Sequence, residues 1–182
     1  MLQEIDFFIL DAIQEMSCTF LDAVMPKITM LGNAGILWIA LGLILCLAPR
    51  TRNDGILILL GLLVGSLICN VGLKPLVARE RPCWIVAHEL LINMPKDYSF
   101  PSGHTLAAFT AAFSLLARKN KLWPVCMLTA AVIAFSRLYL YVHFPSDVLF
   151  SVFASGAIAW GLVGLDKKYS FIDKASNRLK RK

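Results

Sequence analysis

Five long apolar runs constrain this 182-residue chain more than any other feature. They occupy residues 28–48, 55–73, 103–117, 122–141 and 148–165. A helix needs about 20 residues, roughly 17–25, to cross a hydrocarbon core. Four of the runs meet that length, and 103–117 falls short. Either that run starts below the membrane surface or the segment before it dips inward under the cover of protein. Hydrophobic residues make up 58% of the chain and charged residues 16%, against about 45–50% and 25% in soluble domains. The expected fold is all-α: one polytopic membrane helical bundle over residues 1–182, with five spans preceded by an amphipathic helix.

The formal charge of +6 is not a nucleic-acid signal, because its placement is that of membrane topology. Seven of the eighteen Lys/Arg lie in the tail at 167–182. Arg50 and Arg52 follow the first run, and Arg118, Lys119 and Lys121 follow the third. All three groups fall on one side of a five-span bundle, which makes that side, and the tail, cytoplasmic. Lys74, Arg79, Arg81, Lys96 and Arg137 fall on the other side, close to span ends.

Residues 1–22 behave differently. At 100° per residue, Glu4, Asp11, Glu15 and Asp22 share one face, and Leu2, Ile5, Ile9, Ile13, Met16 and Phe20 share the opposite one. This pattern predicts a helix lying along the bilayer or packing on the bundle, with its acids in water. Crossing would make a sixth span and would bury Asp6, Asp11 and Glu15 at a cost of several kcal/mol. With five acids and no basic n-region there, no cleavable signal peptide is expected. Five cysteines without CxxC spacing predict neither a disulfide framework nor a zinc site.

Three polar clusters stand at the outer ends of the runs: Lys74-x6-Arg81-Pro82, Pro101-Ser102-Gly103-His104, and Ser136-Arg137-x5-His143-x3-Asp147. Ionisable groups at a membrane edge are costly, so they are functional candidates. Any one of Lys74, Arg81 and Arg137 could be snorkelling to headgroups. Three cations beside two histidines favour a shared anion, with Arg supplying a planar fork and Lys a point charge. Pro101-Ser102-Gly103-His104 opens a helix whose free N–H groups form a phosphate cradle. Ser102 is placed to cap it, and Gly103 admits an oxygen close to the backbone.

His143 and Asp147 are spaced so that a carboxylate can orient one imidazole nitrogen and leave the other free. Together these residues predict covalent phosphoryl transfer. His143 attacks phosphorus, and His104 protonates the leaving oxygen and then helps activate water. Lys74, Arg81, Arg137 and the helix N-terminus hold the oxygens, so neither a metal nor another cofactor is called for. His88 and Arg79 are read as surface groups, with Arg79 facing headgroups.

The three clusters resemble the three-part signature of the type 2 phosphatidic acid phosphatase superfamily, and all eleven fixed positions match in order over residues 74–147. The resemblance implies a bundle of usually six spans and a metal-independent phosphatase acting on lipid phosphates or diphosphates. By position it implies His143 as nucleophile, Asp147 as its orienting partner and His104 as acid/base, with Lys74, Arg81, Ser102, Gly103 and Arg137 on the phosphate. The amphipathic N-terminal helix stands where that family has its first span.

The implied partner is a membrane lipid, a polyprenyl diphosphate or a phosphatidate-like molecule, met at the extracytoplasmic face of the plasma membrane. A lipid phosphotransferase with the same site and a non-enzymatic lipid-binding protein are the alternatives. The related vanadate haloperoxidases are soluble, unlike this chain. The apolar residues between spans do not name the lipid, and oligomeric state is equally unmarked.

Overall fold

The structure is a computed structural model that describes residues 1–172, Lys174 and Ser176. The last four basic residues of the tail, Arg178, Lys180, Arg181 and Lys182, lie outside the described residues. The described residues form helices joined by turns and loops, with no strand among them. The first helix, α1 (Leu2–Gln14), ends short of the expected 1–22, and α2 (Thr19–Met30) starts after a four-residue break. α2 and α3 (Ile36–Leu47) form a pair bent by 42°. Ala34 and Gly35, at φ 50° and 66°, adopt the left-handed conformation that ends a right-handed helix.

α4 (Arg52–Gly65) runs through a π-helical segment, Ser66–Leu73, into the short α5 (Lys74–Val77). Ala78, at φ 47°, ends it, and Pro82 opens the single-turn α6 (Pro82–Ile85). A loop then leads to α7 (Gly103–Ala117), α8 (Trp123–Tyr139) and α9 (Pro145–Tyr169). The five apolar runs thus map onto α2–α3, α4 with its π segment, α7, α8 and α9. The segments Arg52–Ile85 and Pro145–Tyr169 are long and apolar enough to cross a membrane, and the bent α2–α3 pair makes a third. α7 and α8 are shorter.

The shortness of α7 has a physical cause: it is the central helix, surrounded by protein. Ala108, Ala111, Ala112 and Leu115 are buried in the main core with Ile58, Ala130 and Ile133. Lipid is as apolar as leucine, so helices here associate through close packing and polar contacts rather than hydrophobic burial. Small residues provide that closeness. A Cβ on Gly55 of α4 would stand 2.4 Å from the Gly42 carbonyl oxygen of α3. Ser155 of α9 donates to the Leu106 carbonyl at 2.9 Å. The segment before α7 is covered by protein, with Ser99 and Ser102 completely buried.

α1 packs on the bundle, and its acids do not all face water. Asp6 is buried against Arg79 and Ser146, and Asp11 accepts the Tyr141 hydroxyl at 3.1 Å. Leu2, Ile5 and Phe8 point outward. The stripe itself stands, with Glu4, Asp11 and Glu15 exposed and Asp22 half-buried. The exception is Asp6, off that stripe, whose buried carboxylate is compensated by a cation and a hydroxyl group at the site end of the bundle. At the opposite end, Asp54 of α4 accepts Arg118 Nε at 2.8 Å and Asn120 Nδ2 at 2.7 Å. That pairing ties α4 to the α7–α8 turn.

Candidate active site

The three clusters converge at one end of the bundle. Lys74 comes from the end of the π segment, where wide turns replace the α-helical repeat, a feature common at functional sites. Arg81 comes from the kink before α6, His104 from the first turn of α7, Arg137 from the last turn of α8, and His143 from the loop into α9. Lys74, Arg81, Gly103, His104, Arg137 and His143 all line one cavity of about 870 Å³. Its far side is apolar, with Ile39, Leu59, Leu62, Leu63, Leu106 and Ala107 of α3, α4 and α7.

His143 is 1% exposed. An Arg81 Nη1 stands 3.1 Å from its Nε2. A guanidinium can only donate, so Nε2 is the unprotonated nitrogen and the ring proton sits on Nδ1. Burial, then the positive charges of Arg81, Arg137 and Lys74, hold the imidazole well below its usual 6.5, which keeps it neutral. Arg81 also donates to the carbonyls of Val142 and Asp97. Arg137 is buried, gives one Nη to Thr29 Oγ1 and leaves Nε without a partner.

Asp147 stands close to His143, but the expected hydrogen bond is replaced by a looser approach, with Nδ1 and Oδ2 3.8 Å apart. The carboxylate is occupied elsewhere. Oδ2 accepts the Ser99 hydroxyl at 2.5 Å and the Phe144 N–H at 3.0 Å, the latter as the N-terminal cap of α9. Oδ1 accepts Arg79 at 2.6 Å. Arg79 therefore faces the site and not the headgroups, which corrects its reading as a surface group. His88 stacks on Tyr141, 4.4 Å between ring centres.

Ser102 occupies the N-cap position of α7. Its hydroxyl pairs with Thr105 Oγ1 at 2.9 Å, and its N–H goes to Ser151 Oγ at 2.9 Å. It lies behind the cavity wall, and Gly103 and His104 are the parts of the cradle that reach the cavity. His104 Nε2 is 3.0 Å from Asn33 Oδ1, in the break between α2 and α3.

Sequence reasoning missed Asn33, Asn70 and Asp97. Asn70 sits in the π segment, lines the cavity and has a buried Oδ1 without a partner. Asp97 bridges two of the expected phosphate ligands, Lys74 at 2.6 Å and Arg81 at 2.7 Å. Burial would raise the Asp97 carboxyl. The Lys74 hydrogen bond and the charges of Arg81 and Lys74 outweigh it and hold the group well below the usual carboxylate range. An asparagine inside an apolar run was the available signal for Asn70. Asp97, in a polar loop, offered none.

The fold and site define a class: a helical membrane bundle with a cationic, histidine-bearing pocket opening onto an apolar slot. Comparison with known proteins agrees. The PAP2 superfamily profile matches residues 55–170, and the chain belongs to that superfamily. The undecaprenyl-diphosphatase of Sulfolobus acidocaldarius is 34% identical over 114 residues, covering 62% of this chain and 55% of that protein. The decaprenylphosphoryl-5-phosphoribose phosphatase of Mycobacterium tuberculosis is 36% identical over 133 residues, 72% of each chain. The crystal structure of a transmembrane PAP2-type phosphatidylglycerolphosphate phosphatase from Bacillus subtilis superposes with a TM-score of 0.73 at 29% identity. It covers 91% of this chain and 86% of that one. This chain thus spans about half the length of the archaeal relative and most of the other two.

Proposed function

We propose that this chain is a lipid-phosphate phosphohydrolase that works through a phosphohistidine, without metal, at the extracytoplasmic face of the plasma membrane. The observation that carries the reading is the single cavity joining Lys74, Arg81, Arg137 and both histidines to the apolar slot. Such a cavity has room for a phosphate and the start of a hydrocarbon tail together. A polyprenyl diphosphate or a phosphatidate-like lipid has that form, and the names of the relatives are of that class.

The chemistry follows from the geometry. His143 Nε2 attacks phosphorus as Arg81 moves from the imidazole to a phosphate oxygen, and the bond to the leaving oxygen breaks. His104 gives that oxygen a proton. In the second half, water attacks phosphorus, His104 takes the water's proton, and the N–P bond breaks to release phosphate and restore His143. Arg81, Arg137, Lys74 and the N–H groups opening α7 neutralise the charge that develops on the oxygens.

The test is His143→Ala, assayed by phosphate release from long-chain lipid phosphates and diphosphates with no added acceptor. Turnover should fall by about 10⁴-fold or more, and acid-quenched protein should no longer carry labelled phosphate. Retention of more than a few per cent of wild-type activity would overturn the reading.

A further inference from the structure

α1 packs Phe7 edge-on against Phe144 and brings one buried carboxylate, Asp6, to the site. Asp6 Oδ2 accepts Arg79 Nη2 at 2.7 Å, and its two oxygens take the N–H and O–H of Ser146 at 2.9 and 2.5 Å. Arg79 turns its other nitrogen, Nη1, to Asp147 Oδ1 at 2.6 Å and to Ser146 Oγ at 2.7 Å. The guanidinium carbon lies 4.0 Å from the centre of the Phe144 ring, one residue beyond the nucleophile candidate. One arginine thus joins two buried acids, 2% and 0% exposed, that belong to different helices. Neither Asp6 nor Arg79 is among the eleven signature positions, and Asp6 precedes the stretch matched by the family profile.

From this geometry we infer that Asp6 and Arg79 are positioning residues for the His143 nucleophile, acting through Asp147. Helix α1 is thereby a working part of the site as well as a membrane-facing element. The inference rests on the phosphohistidine reading above. Arg79 pins Asp147 Oδ1, which leaves Oδ2 turned towards the Nδ1 side of His143. Asp6 holds the opposite edge of the guanidinium and fixes the plane of the fork. Remove Asp6, and Arg79 keeps only one acid, so the plane of its fork on Asp147 is no longer fixed. Remove Arg79, and two buried carboxylates face each other without a counter-charge.

A brace that merely holds α1 in place would have the same contacts, so the test must read the imidazole. The charged and titratable groups facing it are Asp147, Arg81, Arg137, Lys74 and His104, with Asp97 paired to Lys74 and Arg81 and with Arg79 and Asp6 behind Asp147. Asp6→Asn and Arg79→Gln are compared with Asp11→Asn, which loosens α1 at Tyr141 without touching this chain of contacts. Readouts are kcat, KM, the pH profile of kcat/KM and the thermal midpoint, on full-length protein in detergent with a long-chain lipid phosphate. Asp6→Asn and Arg79→Gln should each lower kcat by about 10- to 100-fold, as small misplacements of reacting groups do. KM should hold.

The acid limb should move up in Arg79→Gln, where a cation near the imidazole is lost, and down in Asp6→Asn, where an anion is lost. The double variant should lose little more than the worse single one, because both act through one chain. Asp11→Asn should lower the thermal midpoint and leave the pH profile in place. If Arg79→Gln does not purify, Arg79→Lys replaces it: one point charge for a fork, with a kcat loss and an unmoved acid limb. Lower midpoints with wild-type kcat and pH profiles in both site variants would reduce the network to a brace and overturn the inference. Survival of activity in His143→Ala would instead sink the underlying mechanism.

Discussion

Gly32 stands against the face of His104, and replacing it with alanine reads out what the break between α2 and α3 does. A Cβ built there would lie 2.6 Å from His104 Cδ2 and 3.1 Å from Ile133 Cγ2. Carbon atoms settle at about 3.5–4.0 Å, so the imidazole has to retreat by about 1 Å. Ile133 is fully buried and offers no room on the other side. The backbone of Gly32, at φ −88° and ψ −8°, suits alanine. The methyl group is therefore the whole perturbation. The retreat stretches the 3.0 Å approach of Nε2 to Asn33 beyond hydrogen-bonding range. A misplacement of this size near reacting atoms costs about 10²-fold, or about 2.7 kcal/mol of barrier.

The assay is steady-state phosphate release from a long-chain lipid phosphate and, in parallel, from an aryl phosphate with a good leaving group. The expected result is a kcat lowered by about 100-fold on the lipid and markedly less on the aryl ester, which hardly needs a proton from His104. KM should change little. Gly161→Ala, where a Cβ meets nothing within 4 Å, is the control that stays at wild-type rates. Wild-type kcat in Gly32→Ala, or equal losses on both substrates, would refute the reasoning.

Three other outcomes are expected. Activity should survive excess EDTA and be inhibited by vanadate, because the cations that hold the phosphate belong to the protein; loss on chelation with rescue by Mg²⁺ would contradict this. Burial and then Arg81 hold the His143 imidazole well below 6.5, so the attacking neutral form persists on the acid side. The acid limb of kcat/KM should accordingly fall well below pH 6.5, and a limb centred at or above it would count against His143 as nucleophile. Single cysteines at Gln3 and Lys121, in a cysteine-free background, should react with an impermeant reagent on intact cells only at Gln3; protection at both positions would mean that α1 crosses the membrane.

The legible part of the site was the part set by local chain geometry. Lys74, His104 and Arg137 stand at helix ends that the apolar runs define, Arg81 and His143 just before a proline that opens a helix, and all five meet in one cavity. Asp147 was half legible. Its spacing from His143 was right, but spacing cannot show that an N-cap, Ser99 and Arg79 already claim the carboxylate. Ser102 takes the N-cap position of α7, but its hydroxyl pairs with Thr105 Oγ1 and makes no capping bond to the backbone, which was not legible. Arg79 and Asp6 are separated by 73 residues, and no periodicity links them. Asp6 is buried all the same, and its compensation by the half-buried Arg79 is a tertiary fact. The five apolar runs carried the bundle because lipid imposes their length. The early end of α1 at Gln14 was hidden, since the amphipathic pattern continues unbroken across the following turn.

The π-helical segment Ser66–Leu73 has a consequence for how this chain can vary. Its side chains mostly face outward and are apolar, so many exchanges among them should be silent. Its length is another matter. Each residue in an α-helix advances the next by about 100° and 1.5 Å, and the widened turns set the heading at which Lys74 leaves the membrane. Deleting one residue would tighten the coil and swing Lys74 away from Asp97 and the cavity, while its composition remained entirely acceptable to lipid. The segment works as a spacer of fixed count. Libraries that shuffle its letters should be mostly active, and libraries that change its number by one should be mostly inert.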